Sequence, residues 1–179
     1  MAKVEVLSTL ELLRLATCVK NKAVHFVSTL AVSTLNPLQT SSTCPDETGL
    51  SLLNKNGYLT TKWVSEQLLY TASQRGIETH VYRPGNVIAG KQGVYEPESN
   101  HTLLRLKGML QLGKVHVGQH EMLEMMPVDL LVASIVKLAL KPITFAHNLN
   151  NVEQISWVQY LLIARKQGYV FEWLNDEKE

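Results

Sequence analysis

Apolar residues recur at helical spacing in the first half of the chain, and short β-branched runs lie between the helical segments. A period near 3.6 residues is typical of amphipathic helices, and short β-branched runs are typical of buried strands. In chain order, the pattern predicts a helix at 6–19, a strand at 23–32, a helix at 58–73 and a strand at 79–83. The polar stretch 33–56 is predicted to form a long loop, and loops of that length are usually functional.

The alternation continues through the second half of the chain. The predicted elements are helices at 103–112, 128–140 and 155–166, a strand at 143–149 and an extended piece at 169–174. Since helices alternate with strands, we expect an α/β fold whose parallel sheet is connected by crossover helices.

Composition excludes several classes of partner and site. The 179 residues are 45% apolar and 18% charged, as in globular proteins, and the net charge of +1 favours neither nucleic acid nor an anionic membrane as a partner. Cys18 and Cys44 lack C-x-x-C spacing, which disfavours a disulfide framework and a thiolate zinc site and makes the cytoplasm the expected location. The sequence contains no visible signal peptide and no apolar run of membrane-spanning length.

Two short motifs resemble binding sites for phosphate and for a metal ion. Residues 85–92 nearly spell a phosphate-binding loop, but Gln92 stands where the metal-binding hydroxyl is needed and no helix is predicted to follow. His116 and His120 have the spacing of metal ligands on a helix, but glycine lies between them and no third ligand is placed nearby. We therefore disfavour a nucleotide triphosphatase and expect two surface histidines.

Tyr58 and Lys62 are the residues best suited to chemistry. They are four residues apart at a helix start, so both lie on one helical face. An ammonium beside a phenol favours the phenolate, so we expect Lys62 to lower the pKa of Tyr58 and make it a usable proton donor. A surface tyrosine stacked on a lysine side chain is the alternative, because the spacing alone arises readily by chance.

Order along the chain supports the catalytic interpretation. A strand ends in Val27-Ser28-Thr29, the Tyr58–Lys62 helix follows, and a second strand ends in Tyr82-Arg83-Pro84-Gly85. With the segments 9–16, 25–32, 57–66, 127–129 and 155–157, this order resembles the extended short-chain dehydrogenase/reductase superfamily. Within it, the chain is most similar to the thioester reductase domains of nonribosomal peptide synthetases and of aminoadipate or carboxylic acid reductases.

The resemblance implies roles for matching residues. Thr29 hydrogen-bonds the substrate carbonyl, Tyr58 donates the proton, and Lys62 tunes Tyr58 and holds the nicotinamide ribose. The implied cofactor-binding residues are Ser28, Tyr58, Lys62, Pro84, Gly85, Asn86 and Val87. The implied cofactor is NADPH, with no metal.

The implied reaction reduces an acyl thioester on a phosphopantetheine carrier protein to an aldehyde or alcohol. Arg105 and Lys107 are candidates for facing an acidic carrier, with a solvated helix face as the alternative. Another extended reductase, a nucleotide-sugar epimerase or dehydratase, and a non-catalytic interaction module or remnant remain alternative functions.

The resemblance also implies a division of the chain and a missing part. Residues 1–90 correspond to the C-terminal half of a Rossmann-like NADP-binding domain, and residues 91–179 to a substrate-side subdomain with a returning strand. No G-x-x-G-x-x-G occurs, and Glu5 and Ser8 stand where the family usually has Asn and Gly. We expect a fragment, a partner of a second chain carrying the glycine-rich half, or an inactive remnant, and no activity from the chain alone.

Overall fold

The computed structural model describes residues 2–33, 56–91, 100–118, 120–141 and 145–174. Most of the predicted loop 33–56, the start of the predicted strand 143–149 and Cys44 lie outside them. The described residues form two compact units, the first comprising residues 1–85 and 130–150 and the second residues 86–129 and 151–179. Within the described part of the chain, no helix is long and apolar enough to cross a membrane.

The longer helices and strands follow the predicted order, whereas five two-residue strands were not predicted, namely Val87–Ile88, Lys114–Val115, Met122–Leu123, Met126–Pro127 and Ile155–Ser156. The helices are α1 (Ala2–Thr17), α2 (Leu30–Ser33), α3 (Gly57–Ser73), α4 (His101–Leu112), α5 (Val128–Ala139) and α6 (Trp157–Lys166). The strands are β1 (Val24–Val27), β2 (Thr79–Pro84), β3 (Val87–Ile88), β4 (Lys114–Val115), β5 (Met122–Leu123), β6 (Met126–Pro127), β7 (Ala146–Leu149), β8 (Ile155–Ser156) and β9 (Glu172–Trp173).

A parallel sheet organises the first unit. Its strand order is β1-β2-β7, and both pairings are parallel. Val27 lies opposite Tyr82, and Pro84 lies opposite Leu149, so the carboxyl ends of all three strands meet at one edge. This confirms the predicted α/β fold with a Rossmann-like parallel sheet. Open sheets of this kind bind their ligands at that edge.

The core of the first unit lies between the sheet and the helices α1 and α3. Leu69, Val81 and Ala146 are fully buried there. Four partly buried side chains pack against them, namely Leu13, Val24, Phe26 and Phe145. Burying these side chains holds α3 against the sheet, so the first turn of α3 lies near the carboxyl end of β1.

The second unit has its own core, built around α4, α6 and short strand pairs. Its buried members are Met109, Val115, Leu123, Trp157, Leu161 and Phe171. Asn100 caps the start of α4, and Gly113 ends it in the left-handed conformation with φ of 65°. Ser156 and Gln159 form a capping box at the start of α6.

The division of the chain differs from the predicted boundary at residue 90. The first unit ends at Gly85 and regains residues 130–150. The reason is the hydrogen-bonded pairing of β7 with β2, which returns this late segment to the parallel sheet.

Candidate functional site

The start of α3 is fixed by its cap. The Asn56 side chain accepts hydrogen bonds from the backbone N–H groups of Tyr58, at 3.1 Å, and Leu59, at 3.3 Å. Asparagine is among the preferred residues at this position because its side-chain oxygen satisfies N–H groups that have no partner within the helix. Tyr58 therefore lies in the first turn of α3, and Lys62 follows one turn later.

The structure brings Tyr58, Lys62 and Thr29 together. Lys62 Nζ donates to the Val27 carbonyl oxygen at 3.1 Å and lies 5.8 Å from the centre of the Tyr58 ring. The side chain of Thr29, two residues beyond Val27, lies near enough to the Tyr58 hydroxyl to act on its pKa. Tyr58 keeps 39% exposure, so its ring is accessible to a ligand. A phenol, an alcohol and an ammonium thus lie together at the carboxyl end of β1, while their catalytic roles remain predictions.

The expected lowering of the Tyr58 pKa is wrong for this arrangement. The pKa of Tyr58 is raised above its usual value, first by burial and second by the negative charge of Glu5, while the side chain of Thr29 acts in the opposite direction. The ammonium of Lys62 lies 3.5 Å from Glu5 Oε1, so a carboxylate offsets its charge. Tyr58 is therefore a well-protonated phenol in this structure.

Ser28 lies behind the site. It is buried, and its hydroxyl donates to Glu66 Oε1. Arg83 also binds Glu66, with Nη2 2.6 Å from Oε2. The Ser28 hydroxyl hydrogen is thus engaged inside the protein, which leaves only its oxygen lone pairs for the predicted contact with a cofactor.

The remaining predicted cofactor-binding residues divide between the two units. Pro84 is the last residue of β2, and the Gly85 N–H donates to the Leu149 carbonyl oxygen at 3.0 Å. Asn86 and Val87 belong to the second unit. There, Asn86 Nδ2 donates to Thr102 Oγ1 at 2.9 Å, and Val87 lies in β3.

Carboxylates bind the backbone of the segment that resembles a phosphate-binding loop. The Asn86 N–H donates to Glu124 at 2.6 Å, and the Lys91 N–H donates to Asp129 at 3.2 Å. A Cβ at Gly90 would lie 3.1 Å from the Asp129 side chain. Negative groups therefore occupy N–H donors that a phosphate would need, which agrees with rejecting a triphosphatase.

Within the described part of the chain, His116 and His120 belong to no group of side chains that could hold a metal ion. Among the residues that the structure describes, no three His, Cys, Asp or Glu side chains are grouped to hold a metal ion.

The structure gives Arg105 a role inside the second unit. Its guanidinium makes a two-pronged ion pair with Glu121 and lies 4.6 Å from the centre of the Trp157 ring. The hydrogen bond from Arg105 is the main reason that the pKa of Glu121 is lowered. The suggestion that Arg105 faces an acidic carrier is therefore not supported, whereas Lys107 is exposed on α4.

Two acidic residues of the site do not emerge from the sequence. Glu5 stands out there only as a departure from the family pattern, and Glu66 only as part of a motif. Their partners lie far along the sequence, 57 residues away for Lys62 and 17 for Arg83. A carboxylate at a position where the family usually has an uncharged residue is the available signal for Glu5.

Comparison with known proteins identifies the family of the chain. Residues 1–135 match the family described as male sterility protein, an NAD-binding family. A linear gramicidin synthase polypeptide from Brevibacillus parabrevis is 34% identical over 141 residues, which are 77% of this chain and 3% of the synthase polypeptide. The large subunit of L-2-aminoadipate reductase from Eremothecium gossypii is 32% identical over 181 residues, covering 92% of this chain and 13% of the reductase.

A solved structure agrees with these relatives. The terminal R domain from the myxalamid PKS-NRPS biosynthetic pathway superposes with a TM-score of 0.83 and 31% identity, covering 97% of this chain and 45% of that domain. The chain thus spans about half of the solved reductase domain and a small part of the two sequence relatives. The chain belongs to the male sterility protein family of NAD-binding domains, within the extended short-chain dehydrogenase/reductase superfamily, and its relatives include reductase domains of nonribosomal peptide synthetases and aminoadipate reductase.

Proposed function

We propose that this chain is part of a reductase that converts an acyl thioester, carried on a phosphopantetheine arm, to an aldehyde with NADPH. The observation that carries the proposal is the convergence of Tyr58, Thr29 and Lys62 at the carboxyl end of β1. Lys62 Nζ reaches the Val27 carbonyl oxygen there and lies 5.8 Å from the Tyr58 ring centre. The relatives include a linear gramicidin synthase polypeptide and the large subunit of L-2-aminoadipate reductase, and they support an acyl thioester as the substrate class.

The residues at this site fit one end of a nicotinamide cofactor. A ribose presents hydroxyl groups that both donate and accept hydrogen bonds, and Lys62 and Tyr58 offer an ammonium and a phenol to them. Tyr58 is accessible, and the Lys62 side chain keeps 15% exposure. When bound, the reduced cofactor supplies a hydride to the carbonyl carbon of the substrate. Pro84 and Gly85 are the proposed neighbours of the nicotinamide ring.

The chain's own residues act on the carbonyl oxygen. The Thr29 and Tyr58 hydroxyls donate hydrogen bonds to it, which stabilises the negative charge that develops as the carbon–oxygen double bond is reduced. Tyr58 then transfers its proton to that oxygen. Because the pKa of Tyr58 is raised, the phenol carries this proton throughout the neutral pH range. The product of this proton transfer is a hemithioacetal, whose hydroxyl loses its proton as the carbon–sulfur bond breaks. The leaving sulfur takes up a proton, so that a thiol and an aldehyde are released.

A carrier protein is the proposed partner, because the relatives include a linear gramicidin synthase polypeptide and the terminal R domain of a PKS-NRPS pathway. Lys107 is the remaining basic candidate on α4 for contact with an acidic carrier, since Arg105 is bound to Glu121.

The proposal is tested by replacing Tyr58 in a complete reductase domain, in which the part that this chain does not span is supplied in the same polypeptide or as a second chain. We expect Tyr58→Phe to lower kcat for oxidation of NADPH by an acyl-pantetheine thioester by about 100-fold or more. Tyr70→Phe is the matched control, because Tyr70 lies on the same helix and its ring packs edge-on against Phe145. Retained thioester turnover in Tyr58→Phe contradicts the assignment, and turnover of a nucleotide sugar without thioester turnover selects an epimerase-like function.

A further inference from the structure

The Glu5 carboxylate joins α1 to the catalytic face of α3. One oxygen, Oε2, accepts a hydrogen bond from Thr61 Oγ1 at 2.7 Å, and the other, Oε1, lies 3.5 Å from Lys62 Nζ. The Glu5 side chain is 25% exposed, so the pair is partly shielded from water. Resting on the proposed function, we propose that Glu5 is a positioning residue of the reductase, which holds the Lys62 ammonium between β1 and the Tyr58 ring.

Lys62 needs such a partner because its side chain is long and flexible. A lysine side chain loses much conformational entropy when it is ordered, so one weak contact would not fix it. In this structure Nζ lies 3.1 Å from the Val27 carbonyl oxygen and 3.5 Å from Glu5 Oε1. The centre of the Phe26 ring lies 5.0 Å from Nζ. Glu5 supplies the charged contact in this set.

The charge of Glu5 also acts on the pKa of the Tyr58 phenol. The described groups around its carboxylate are Lys62, Thr61 and Tyr58 on α3, while Ser65 contacts the Glu5 backbone carbonyl. β1 contributes the neutral Val27 carbonyl through Lys62. The Glu5 charge is the second cause, after burial, of the raised pKa of Tyr58. Glu5 thereby opposes loss of the Tyr58 proton.

The variant Glu5→Gln distinguishes positioning of Lys62 by the Glu5 charge from packing of the Glu5 side chain between α1 and α3. The glutamine has almost the same size and its amide oxygen still accepts the Thr61 hydrogen bond, but it carries no charge. Glu5→Asn removes the charge in a second way and serves if Glu5→Gln does not fold. Glu11→Gln is the matched control, because Glu11 lies on the same helix, is exposed, and pairs with Arg14 rather than with the site.

The direct test is a pH titration of Tyr58 in the full 179-residue chain by NMR of isotope-labelled tyrosine rings, with Tyr58→Phe assigning the signal. We expect the Tyr58 midpoint to move to lower pH in Glu5→Gln and to stay unchanged in Glu11→Gln. Because loss of the Glu5 charge lowers the midpoint whereas departure of the Lys62 ammonium raises it, an unchanged midpoint overturns the proposal when kcat of the complete domain is also unchanged in folded Glu5→Gln and Glu5→Asn.

A kinetic test follows in the complete domain. We expect Glu5→Gln to lower kcat by about tenfold to 100-fold, with a smaller change in KM, because a displaced lysine misplaces the reacting groups. We also expect Glu5→Asp, which restores the charge, to recover part of the loss. Equal kcat in Glu5→Gln and wild type overturns the positioning role. If the wild-type domain reduces no thioester, the proposed function fails, whereas the Tyr58 titration still decides how Glu5 acts on the phenol.

Discussion

The Glu66 carboxylate and the Arg83 guanidinium form an ion pair, with Nη2 2.6 Å from Oε2, and neither side chain has any exposure. Arg83 Nε also donates to both carboxylate oxygens, at 3.2 and 3.1 Å. Ser28 donates to the same carboxylate. This network joins α3 to β2 and to the residue that follows β1, which places the Tyr58 helix relative to Thr29.

Removing either partner of the Glu66–Arg83 ion pair should strongly destabilise the folded chain. We expect Glu66→Ala or Arg83→Ala to lower the free energy of unfolding by about 3–5 kcal/mol, because each leaves a buried charge without its partner. The double variant Glu66→Leu with Arg83→Met should lose less than the two single losses added together. Urea unfolding followed by circular dichroism measures all three.

The control for the buried pair is Glu11→Ala, since Glu11 forms an exposed ion pair with Arg14. We expect it to change the free energy of unfolding by less than about 1 kcal/mol. Equal losses for Glu11→Ala and Glu66→Ala would show that the buried network does not stabilise the fold.

Local patterns predicted the longer helices and the three strands of the parallel sheet, because the spacing of apolar residues within one element depends only on that element's own sequence. The helix predicted at 58–73 is α3, Gly57–Ser73, and the strand predicted at 79–83 is β2, Thr79–Pro84. The strand predicted at 23–32 is too long, since β1 ends at Val27 and Leu30–Ser33 is a helical turn. A short apolar run does not distinguish a strand from a helical turn, and here Thr29 Oγ1 accepts a hydrogen bond from the Ala31 N–H at 3.4 Å.

The site was predictable as far as helical spacing reaches. Four-residue spacing placed Tyr58 and Lys62 on one face, as the structure has them. The direction of the Tyr58 pKa shift was not predictable, because it depends on burial and on Glu5 from a different helix. Such pairings across long stretches of sequence leave no periodic signal, and the buried Glu66 resembles any charged helix residue until its partner Arg83 is known.

Stacked aromatic rings on the parallel sheet should make stability depend on pH. The His25 ring stacks on His80 with centres 4.7 Å apart, and Tyr82 stacks on His147 with centres 6.0 Å apart. The pKa values of His25 and His147 are lowered, first by burial and then by the charge of His80. Folding therefore favours their neutral forms.

Lowered pKa values in the folded state mean that the unfolded chain binds more protons in acid. The stabilisation from neutral His25 and His147 is present above about pH 6.5 and is lost as the pH falls through their lowered folded-state pKa values. We expect His147→Gln to weaken the decline in unfolding free energy between neutral and mildly acidic pH, whereas exposed His120→Gln leaves it unchanged. Urea unfolding at several pH values measures this, and an equal acid dependence in wild type and His147→Gln contradicts it.

Arg105 should stabilise the second unit rather than bind a partner. Its pair with Glu121 is about one-third exposed, and its guanidinium stacks on the buried Trp157 ring. We expect Arg105→Ala to lower the free energy of unfolding by about 1–2 kcal/mol, combining a partly exposed ion pair with a cation–π contact. Lys107→Ala, on the same helix and exposed, should change it by less than about 0.5 kcal/mol. Equal effects of the two variants would contradict the structural role of Arg105.

Cofactor binding by the 179-residue chain alone should be weak. In the proposed function Lys62 and Tyr58 bind the nicotinamide ribose, but the ten glycines, all at residue 49 or later, form no G-x-x-G-x-x-G motif for the pyrophosphate. We expect a Kd for NADPH on the order of 1 mM or weaker, which corresponds to about −4 kcal/mol. Quenching or enhancement of NADPH fluorescence on titration with the chain measures it. Tight binding that appears on addition of a polypeptide bearing the glycine-rich unit supports this explanation, and a micromolar Kd for the chain alone contradicts it.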